Sequence, residues 1–518
     1  MTKTHPLGKR PRLSVAMIVR DAADVLADSL DCVRPIADEI VVADTGSADG
    51  TVEIARQCAD IVAEIEWQDS FAAARNECWQ RVTGDWVLWL EADETLDDTA
   101  AQQLRNFVDE AADPNKAYLL FIQRPASNAA NCCEQVGQLR LVPNRPGMQF
   151  IGRVREQILP SVKEAGLGVD ALDCVIRRGE CVRDSERERA QSLRKLNLAN
   201  LAVTEDDERA LPLIARAEAL AELGRSKEAG AVYRRAIEVA EHGSSELLEA
   251  YYGLLTAMDA DPSAADLQIA TCLKALEVYP LDAQLLCGIG SYLLRAQRLD
   301  LAARSYEMAA THGKVDPSIW HLADLADVAI VCWSLVLQLL GDAGRAEAVL
   351  NDALSERSAS LRLRRQLIEL FVKAGRERDA LAQCKLLPAD TAYRSTLPDV
   401  IRGAVLAAAR KSAAALGPLR AAYRAGCRDP LCLRWLAGAH LALGNLSDVE
   451  AIAAEWERHD PGNLEIATFR RAVEQRRGDP HVVKASPAGP RRLDGPSSPP
   501  GLPIDPAAAT PRWTSPAR

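Results

Sequence analysis

Histidine is scarce in this chain of 518 residues, and its placement excludes whole classes of chemistry. Seven histidines are present, at His5, His242, His312, His321, His440, His459 and His481. Because residues 6–241 contain none, that part of the chain cannot use a Ser-His-Asp triad, a Cys-His pair or zinc held by histidine. The 13 cysteines form no Cys-x-x-Cys pair. This absence argues against a zinc finger or a disulfide framework and predicts a reducing, cytoplasmic location.

The chain also lacks long apolar runs and an excess of positive charge. No stretch approaches the roughly 20 consecutive apolar residues of a membrane span, and the formal charge of −11 argues against a nucleic-acid partner. The apolar segment Leu13–Val19 follows basic residues, but it is too short for a secretion signal and predicts a buried strand. At roughly 150 residues per domain, the 518 residues predict two to four domains.

The first 120 residues alternate short apolar runs with helical patterns. Strands are predicted at Leu13–Val19, Glu39–Ala43, Ile61–Ile65, Trp86–Leu90 and Tyr118–Ile122. Helices are predicted at about 22–34, 51–59, 70–82 and 97–111, with Ser70 and Asp97 as N-cap residues of the last two. This alternation predicts an α/β domain with a Rossmann-like, mostly parallel sheet, which we place at residues 12–190.

Leucine- and alanine-rich helical patterns replace the strand signals over residues 195–476. The clearest unit contains Leu213, Ala217, Leu220, Gly224, Ala229, Tyr233 and Ala236, at spacings that resemble the tetratricopeptide repeat. A second copy contains Gly290, Leu293, Ala302, Tyr306 and Ala309. Stacked repeats bury a continuous core and leave a concave face that suits a protein partner. A generic helical bundle is the alternative interpretation.

The last segment, residues 478–518, has a different composition. It holds 10 of the 27 prolines, together with many glycines, serines and alanines. Such a segment buries too little apolar surface to offset the entropy of ordering, so we predict that it is disordered.

Two polar clusters follow predicted strands of the α/β domain, at Asp44–Gly50 and at Glu91–Glu94. Ligands of such sheets collect at the carboxyl ends of the strands, near the point where the strand order reverses. Carboxylates spaced as acid-x-acid hold Mg²⁺ or Mn²⁺ together with substrate phosphates. Arg75, on the preceding helix, can meet a base or a phosphate. The pattern predicts a nucleotide site with a divalent metal.

Four motifs in order strengthen this interpretation. They are Leu13–Asp21, Ile40–Thr51, Phe71–Asn76 and Gly84–Glu94, and together they resemble the family 2 glycosyltransferases. The similar subgroup contains the SunS peptide glycosyltransferase and the lipopolysaccharide-core glucosyltransferases, often followed by tetratricopeptide repeats. The resemblance implies a GT-A fold and inverting sugar transfer from a nucleotide-sugar donor, with a UDP-sugar expected. The implied acceptor is a peptide, a protein or a glycolipid.

The resemblance also implies roles for individual residues. Val19 and Arg20 would line the nucleotide pocket, and Asp44 would contact the base. Arg75 would lie near the base and diphosphate, and Glu91 near the ribose.

The catalytic group and the metal ligand are implied in the same way. Asp93 would bind the metal, which would neutralise the departing nucleoside diphosphate. The general base is Glu94 or Glu156, and Glu156 is slightly favoured because family members have a His-Glu pair at that place. Arg155 would contribute to donor binding.

Three positions depart from the family pattern. Glu91 replaces an aspartate, while Arg155 and Arg177 stand where histidines are expected. Because guanidinium groups neither ligate a metal nor act as a base at neutral pH, we hypothesise that both arginines neutralise the diphosphate directly. A catalytically silent GT-A domain that serves as a repeat-binding scaffold is the alternative function, and a hydrolase with two acting carboxylates is a more distant one.

Overall fold

The computed structural model of the chain describes residues 10–125, 133–179, 185–206, 208–259, 261–389, 391–460 and 463–478. Its N-terminal part contains a nine-stranded mixed sheet. The strands are β1 Leu13–Val19, β2 Glu39–Asp44, β3 Ile61–Glu64, β4 Trp86–Trp89, β5 Glu94–Thr95, β6 Lys116–Pro125, β7 Cys133–Pro143, β8 Gly168–Arg178 and β9 His321–Leu322. The order is β3-β2-β1-β4-β7-β6-β8-β5, and β9 pairs with β7.

The four strands at one side of the sheet run parallel. Strand β1 pairs with β2 and β4, and β2 pairs with β3. Because β1, β2 and β4 are parallel, their carboxyl ends lie at one edge. Strand order reverses at β1, since β2 and β4 lie on opposite sides of it. Strand β7 then joins β4 in the antiparallel direction. The switch point predicted from the sequence is therefore present at this edge.

Five helices accompany the sheet: α1 Leu26–Val33, α2 Thr51–Cys58, α3 Phe71–Trp79, α4 Asp98–Glu110 and α5 Leu159–Glu164. The two predicted N-caps are confirmed, since the side chain of Ser70 accepts a hydrogen bond from Ala73 N (3.2 Å) and that of Asp97 from Ala100 N (2.9 Å). Alternate residues of β1 supply opposite cores: Val15 and Met17 pack with α1 and α4, whereas Ala16 packs with α3. A seven-residue apolar strand covered on both faces explains why this segment is fully buried.

The remainder of the described chain is helical. Its helices are α6 Ser185–Glu205, α7 Ala210–Glu222, α8 Ser226–Val239, α9 Ser245–Met258, α10 Ala265–Val278, α11 Ala283–Arg295, α12 Leu299–His312, α13 Leu325–Leu339, α14 Ala343–Glu356, α15 Leu361–Lys373, α16 Glu377–Lys385, α17 Leu397–Ala408, α18 Ser412–Arg424, α19 Pro430–Ala442, α20 Leu446–His459 and α21 Leu464–Gly478. The predicted units are confirmed as helix pairs, the first formed by α7 and α8 and the second by α11 and α12. The repeats depend on small residues: a Cβ on Gly290 would lie 2.9 Å from the ring of Tyr306.

The predicted fold class, an α/β domain followed by an all-α repeat region, is thus confirmed. The structure adds strands β5, β7 and β8, which the apolar-run pattern missed, and β9, which comes from the repeat region. The expected disorder of residues 478–518 falls outside the described residues, apart from Gly478, which ends α21. Across the described ranges, no helix is both long enough and apolar enough to span a membrane.

Candidate active site

The candidate site is built on the turn that follows β4. Glu91 N donates to the Glu94 carboxylate (2.9 Å), and Glu94 N donates to Glu91 O (3.1 Å). Glu94 then pairs with Arg178 in the antiparallel ladder of β5 and β8. The turn is therefore fixed at both ends, and its carboxylates take defined directions.

Arg75 is the centre of the site. Its Nε donates to Glu156 Oε1 at 2.6 Å, and its Nη2 donates to Glu91 Oε1 at 2.5 Å. The guanidinium carbon also lies 4.5 Å from the ring centroid of Trp89 and 5.4 Å from that of Phe150. Arg75 is only 7% exposed. The structure thus brings together three of the predicted site residues, Arg75, Glu91 and Glu156, from three separate segments.

Two arginines that the sequence analysis did not select complete the site. Arg140, on β7, donates to Glu94 Oε1 (2.8 Å), and Arg178, at the end of β8, lies 3.1 Å from Asp93 and 3.5 Å from Glu94. A signal for each was present in the sequence. Arg140 interrupts an apolar stretch of β7, and Arg178 shares the two-residue alternation of the buried Cys174 and Ile176.

Burial and the neighbouring arginines shift the pKa values of Glu91 and Glu94 in opposite directions. Burial alone would raise the pKa of Glu91, but the guanidiniums of Arg75, Arg140 and Arg178 hold it well below its usual range. For Glu94, burial outweighs Arg140 and Arg178 and raises the pKa. Glu94 is fully enclosed, so an acceptor cannot reach it without rearrangement. This placement favours Glu156 over Glu94 as the candidate base.

The residues predicted to contact the nucleoside lie at the ends of β1 and β2. The Asp44 carboxylate accepts from Gly46 N and Ser47 N, both at 2.9 Å, and from the Ser47 hydroxyl. The carbonyl of Val19 accepts from Thr45 N (3.0 Å). Arg20 lies 3.7 Å from Asp21. Within the described ranges, no hydrogen bond or ion pair joins Asp44 to Arg75 or Asp93. Arg75 therefore contacts Glu91 of the turn after β4, while the carboxylate of Asp44 is hydrogen-bonded within its own loop.

Asp93 was predicted to bind a metal ion. Both of its carboxylate oxygens lie within 3.2 Å of Arg178 Nε, and its side chain is 26% exposed. The described residues include no group of three or more histidine, cysteine or acidic side chains arranged for a metal. One half-buried carboxylate fits a Mg²⁺ or Mn²⁺ ion only when substrate phosphates supply further oxygens.

Arg155 and Arg177 lie in different places. Arg155 Nη1 donates to Glu218 of α7 (2.8 Å) and Nη2 to Glu249 of α9 (2.6 Å). Arg177 is 67% exposed and lies 3.2 Å from Asp97. The guanidinium of Arg155 is thus bound by the repeat region, and that of Arg177 points to the surface. The placement of Arg177 argues against its neutralising a diphosphate. For Arg155, which lines the cavity described below but is held by two glutamates, that role stays a prediction, and Arg140 and Arg178 face the acidic turn.

Several of the residues described above border a cavity of about 590 Å³, a size typical of small-molecule sites. One wall belongs to the sheet and includes Arg75, Glu91, Arg140, Glu156 and Arg178. The other wall comes from the repeat region, at residues 241–249 and 318–319. Because β9 pairs with β7, the repeats are attached to the sheet beside this cavity.

The fold and site define a class: an α/β domain with a cavity beside the polar turn that follows β4, bordered on one side by helical repeats. Comparison with known proteins agrees with this class. Residues 14–124 match the family described as glycosyl transferase family 2. This match supports glycosyl transfer in general as the activity of the N-terminal region.

Individual relatives cover parts of the chain. A TPR repeat-containing protein of Synechococcus elongatus is 37% identical over 145 residues, which is 27% of this chain and 33% of that protein. The match thus spans about a third of the relative. A tetratricopeptide repeat protein from Parabacteroides merdae (14% identity, TM-score 0.38) covers 51% of this chain and 98% of its own. The structure of S. aureus TarS (12% identity, TM-score 0.27) covers 57% of this chain and 54% of its own.

Proposed function

We propose that this protein is an inverting glycosyltransferase that moves a sugar from a nucleotide-sugar donor to a peptide, protein or glycolipid acceptor. A UDP-sugar is the donor that we propose first. The observation that carries the proposal is the arrangement of Glu156. One of its oxygens is held by Arg75, and the residue lines the cavity. Among the described residues, its other oxygen, Oε2, has no hydrogen-bond partner.

In the proposed reaction, the acceptor oxygen attacks the anomeric carbon as the bond to the diphosphate oxygen breaks. Glu156 Oε2 takes the proton of the acceptor hydroxyl, and Arg75 keeps the carboxylate directed toward the cavity. Because the nucleophile enters opposite the leaving group, the anomeric configuration inverts. The nucleoside diphosphate leaves with the electron pair of the broken carbon–oxygen bond.

Arg75 has a second proposed role. Its Nη1 is buried and lacks a hydrogen-bond partner in the described part of the chain. An unsatisfied buried hydrogen-bond donor is unfavourable. An oxygen of the nucleotide sugar's diphosphate or base would satisfy it once the side chains that enclose Nη1 rearrange. The proposed binding site of the nucleoside remains at the ends of β1 and β2, beside Val19, Arg20 and Asp44.

Charge balance supports a divalent metal that arrives with the donor. The site sets three guanidiniums against four carboxylates, from Arg75, Arg140 and Arg178 and from Glu91, Asp93, Glu94 and Glu156. A diphosphate would add further negative charge to an already acidic site. We propose that Asp93 holds Mg²⁺ or Mn²⁺, which supplies charge neutralisation to the leaving group.

We expect Glu156→Gln to lower the turnover number by about 100-fold or more, since glutamine keeps the shape but cannot take a proton. Nucleoside diphosphate release should be followed with a panel of nucleotide sugars and Mg²⁺ or Mn²⁺. The matched control is Glu164→Gln, which changes an exposed glutamate on α5 and should leave turnover unchanged. Thermal stabilisation of the wild type by a donor, without any release from any donor tested, would contradict the enzyme and favour the scaffold.

Metal removal is a separate prediction. Incubation with a chelator should lower transfer by at least about tenfold, because the leaving diphosphate loses its neutralising cation. Added Mn²⁺ or Mg²⁺ should restore it in the wild type but not in Asp93→Ala. Full activity after complete metal removal would refute the metal proposal and assign neutralisation to Arg140 and Arg178.

A further inference from the structure

The side chain of Arg155 connects the loop of the candidate base to the repeat region. Arg155 precedes Glu156 in the 151–157 loop, which is closed by reciprocal hydrogen bonds between Ile151 and Gln157 (both 2.9 Å). The ion pairs of Arg155 with Glu218 and Glu249 cross from this loop to α7 and α9, and these side chains are 11–14% exposed. The pairs are therefore largely shielded from water, and each is stronger than an exposed pair.

The backbone of this loop is held in an unfavourable conformation. Arg155 has φ of +54° and Gly152 has φ of +108°. Glycine adopts positive φ without penalty, but an arginine does so only when its surroundings compensate the cost. The contacts with Glu218 and Glu249 are the interactions of the Arg155 side chain itself that can compensate this cost. They hold the conformation that brings Glu156 to Arg75.

We infer that the helical repeats position the candidate base: Glu218 and Glu249 hold Arg155, and Arg155 fixes the loop that directs Glu156 to Arg75. This inference rests on the proposed function for the role of Glu156. Arg155 is thus a positioning residue, and the repeat region is part of the transfer machinery in addition to any partner it binds. Burial alone would lower the pKa of Arg155, but the carboxylates of Glu218 and Glu249 together have the larger effect and raise it. The guanidinium therefore remains charged in the loop.

The loop also offers an internal control. Arg153, two residues earlier, pairs with Glu205 of α6 at 2.8 Å, and that pair is 30% and 54% exposed. Both arginines connect the same loop to the helical region, but only the pairs of Arg155 are buried. Screening by water makes an exposed pair contribute little.

The first test changes the repeat side in the full-length chain. Glu249→Gln should speed hydrogen exchange at the Gln157 amide by about tenfold, because local opening of the loop becomes easier. It should also lower kcat by about tenfold with donor KM changed less than about threefold, since the donor contacts remain. Glu205→Gln should match the wild type in both measurements. If Glu249→Gln behaves like Glu205→Gln, the inference is overturned.

The second test separates the side chain from the backbone conformation. Arg155→Ala and Arg155→Gly both remove the ion pairs, but only glycine takes positive φ freely. Arg155→Gly should therefore retain about tenfold more activity than Arg155→Ala. Equal losses would show that the loop conformation is not what Arg155 supplies. Absence of transfer in the wild type would refute the proposed function alone, because hydrogen exchange at Gln157 still decides whether the repeats hold the loop.

Discussion

Arg75→Met is expected to lower the free energy of unfolding by about 3–5 kcal/mol, the usual effect of removing one partner from a buried ion pair. Methionine fills much of the space beside Trp89 and Phe150. The loss of stability therefore reflects the removed charge more than a change in side-chain volume. Glu156 loses its only ion-pair partner among the described residues, and Glu91 keeps the guanidinium of Arg140, 3.7 Å away, and the weaker influence of Arg178. Urea unfolding at pH 7 measures the change.

The control for this prediction is an exposed ion pair of the same domain. Arg56 pairs with Glu64, and their side chains are 58% and 62% exposed. Arg56→Met should change the free energy of unfolding by less than about 1 kcal/mol. Similar effects of Arg56→Met and Arg75→Met would contradict the structural role assigned to Arg75.

The effect of Arg75→Met should also depend on pH. The pKa of Glu91 in the folded protein is lowered from 4.5 to about 2. A carboxyl group whose pKa is lowered by folding increases the free energy of unfolding at pH values above 4.5. This contribution is lost as the pH falls toward 2. Because Arg75 is one cause of the lowered value, the difference between the variant and the wild type should shrink over that interval. A difference that grows on acidification would refute this assignment.

The second large effect is expected in the repeats. A Cβ added to Gly253 would lie 2.2 Å from two ring carbons of Tyr233, which packs from α8 against α9. Because the ring is buried and rigid, the helices must separate, so Gly253→Ala should lower the free energy of unfolding by about 2–3 kcal/mol. Thermal and urea unfolding of the full chain measure the loss.

Gly230 in α8 is the matched control for Gly253. A Cβ there would meet Leu254 and Ala257 at 3.8 and 3.9 Å, which is ordinary contact. Gly230→Ala should therefore leave stability unchanged or raise it by up to about 1 kcal/mol, because alanine favours the helix. If Gly253→Ala were as well tolerated as Gly230→Ala, close packing of α8 on α9 would be disproved.

The sequence alone determined the elements whose signals are local. Leu13–Val19 is an apolar run and forms β1, Ser70 and Asp97 are capping residues and cap α3 and α4, and the Gly-Ala-Tyr spacing forms helix pairs. The polar turn after β4 was found in the same way. Each of these features depends on residues within a few positions of one another, so composition and periodicity reveal them.

Only the tertiary structure decided how the site is assembled. Arg155 meets Glu218 and Glu249, which lie 63 and 94 residues away, and Arg75 meets Glu156 across 81 residues. Residues that far apart are brought together by the packing of whole elements, which no local pattern encodes. For the same reason an arginine expected at a diphosphate is held instead by two helices of the repeats.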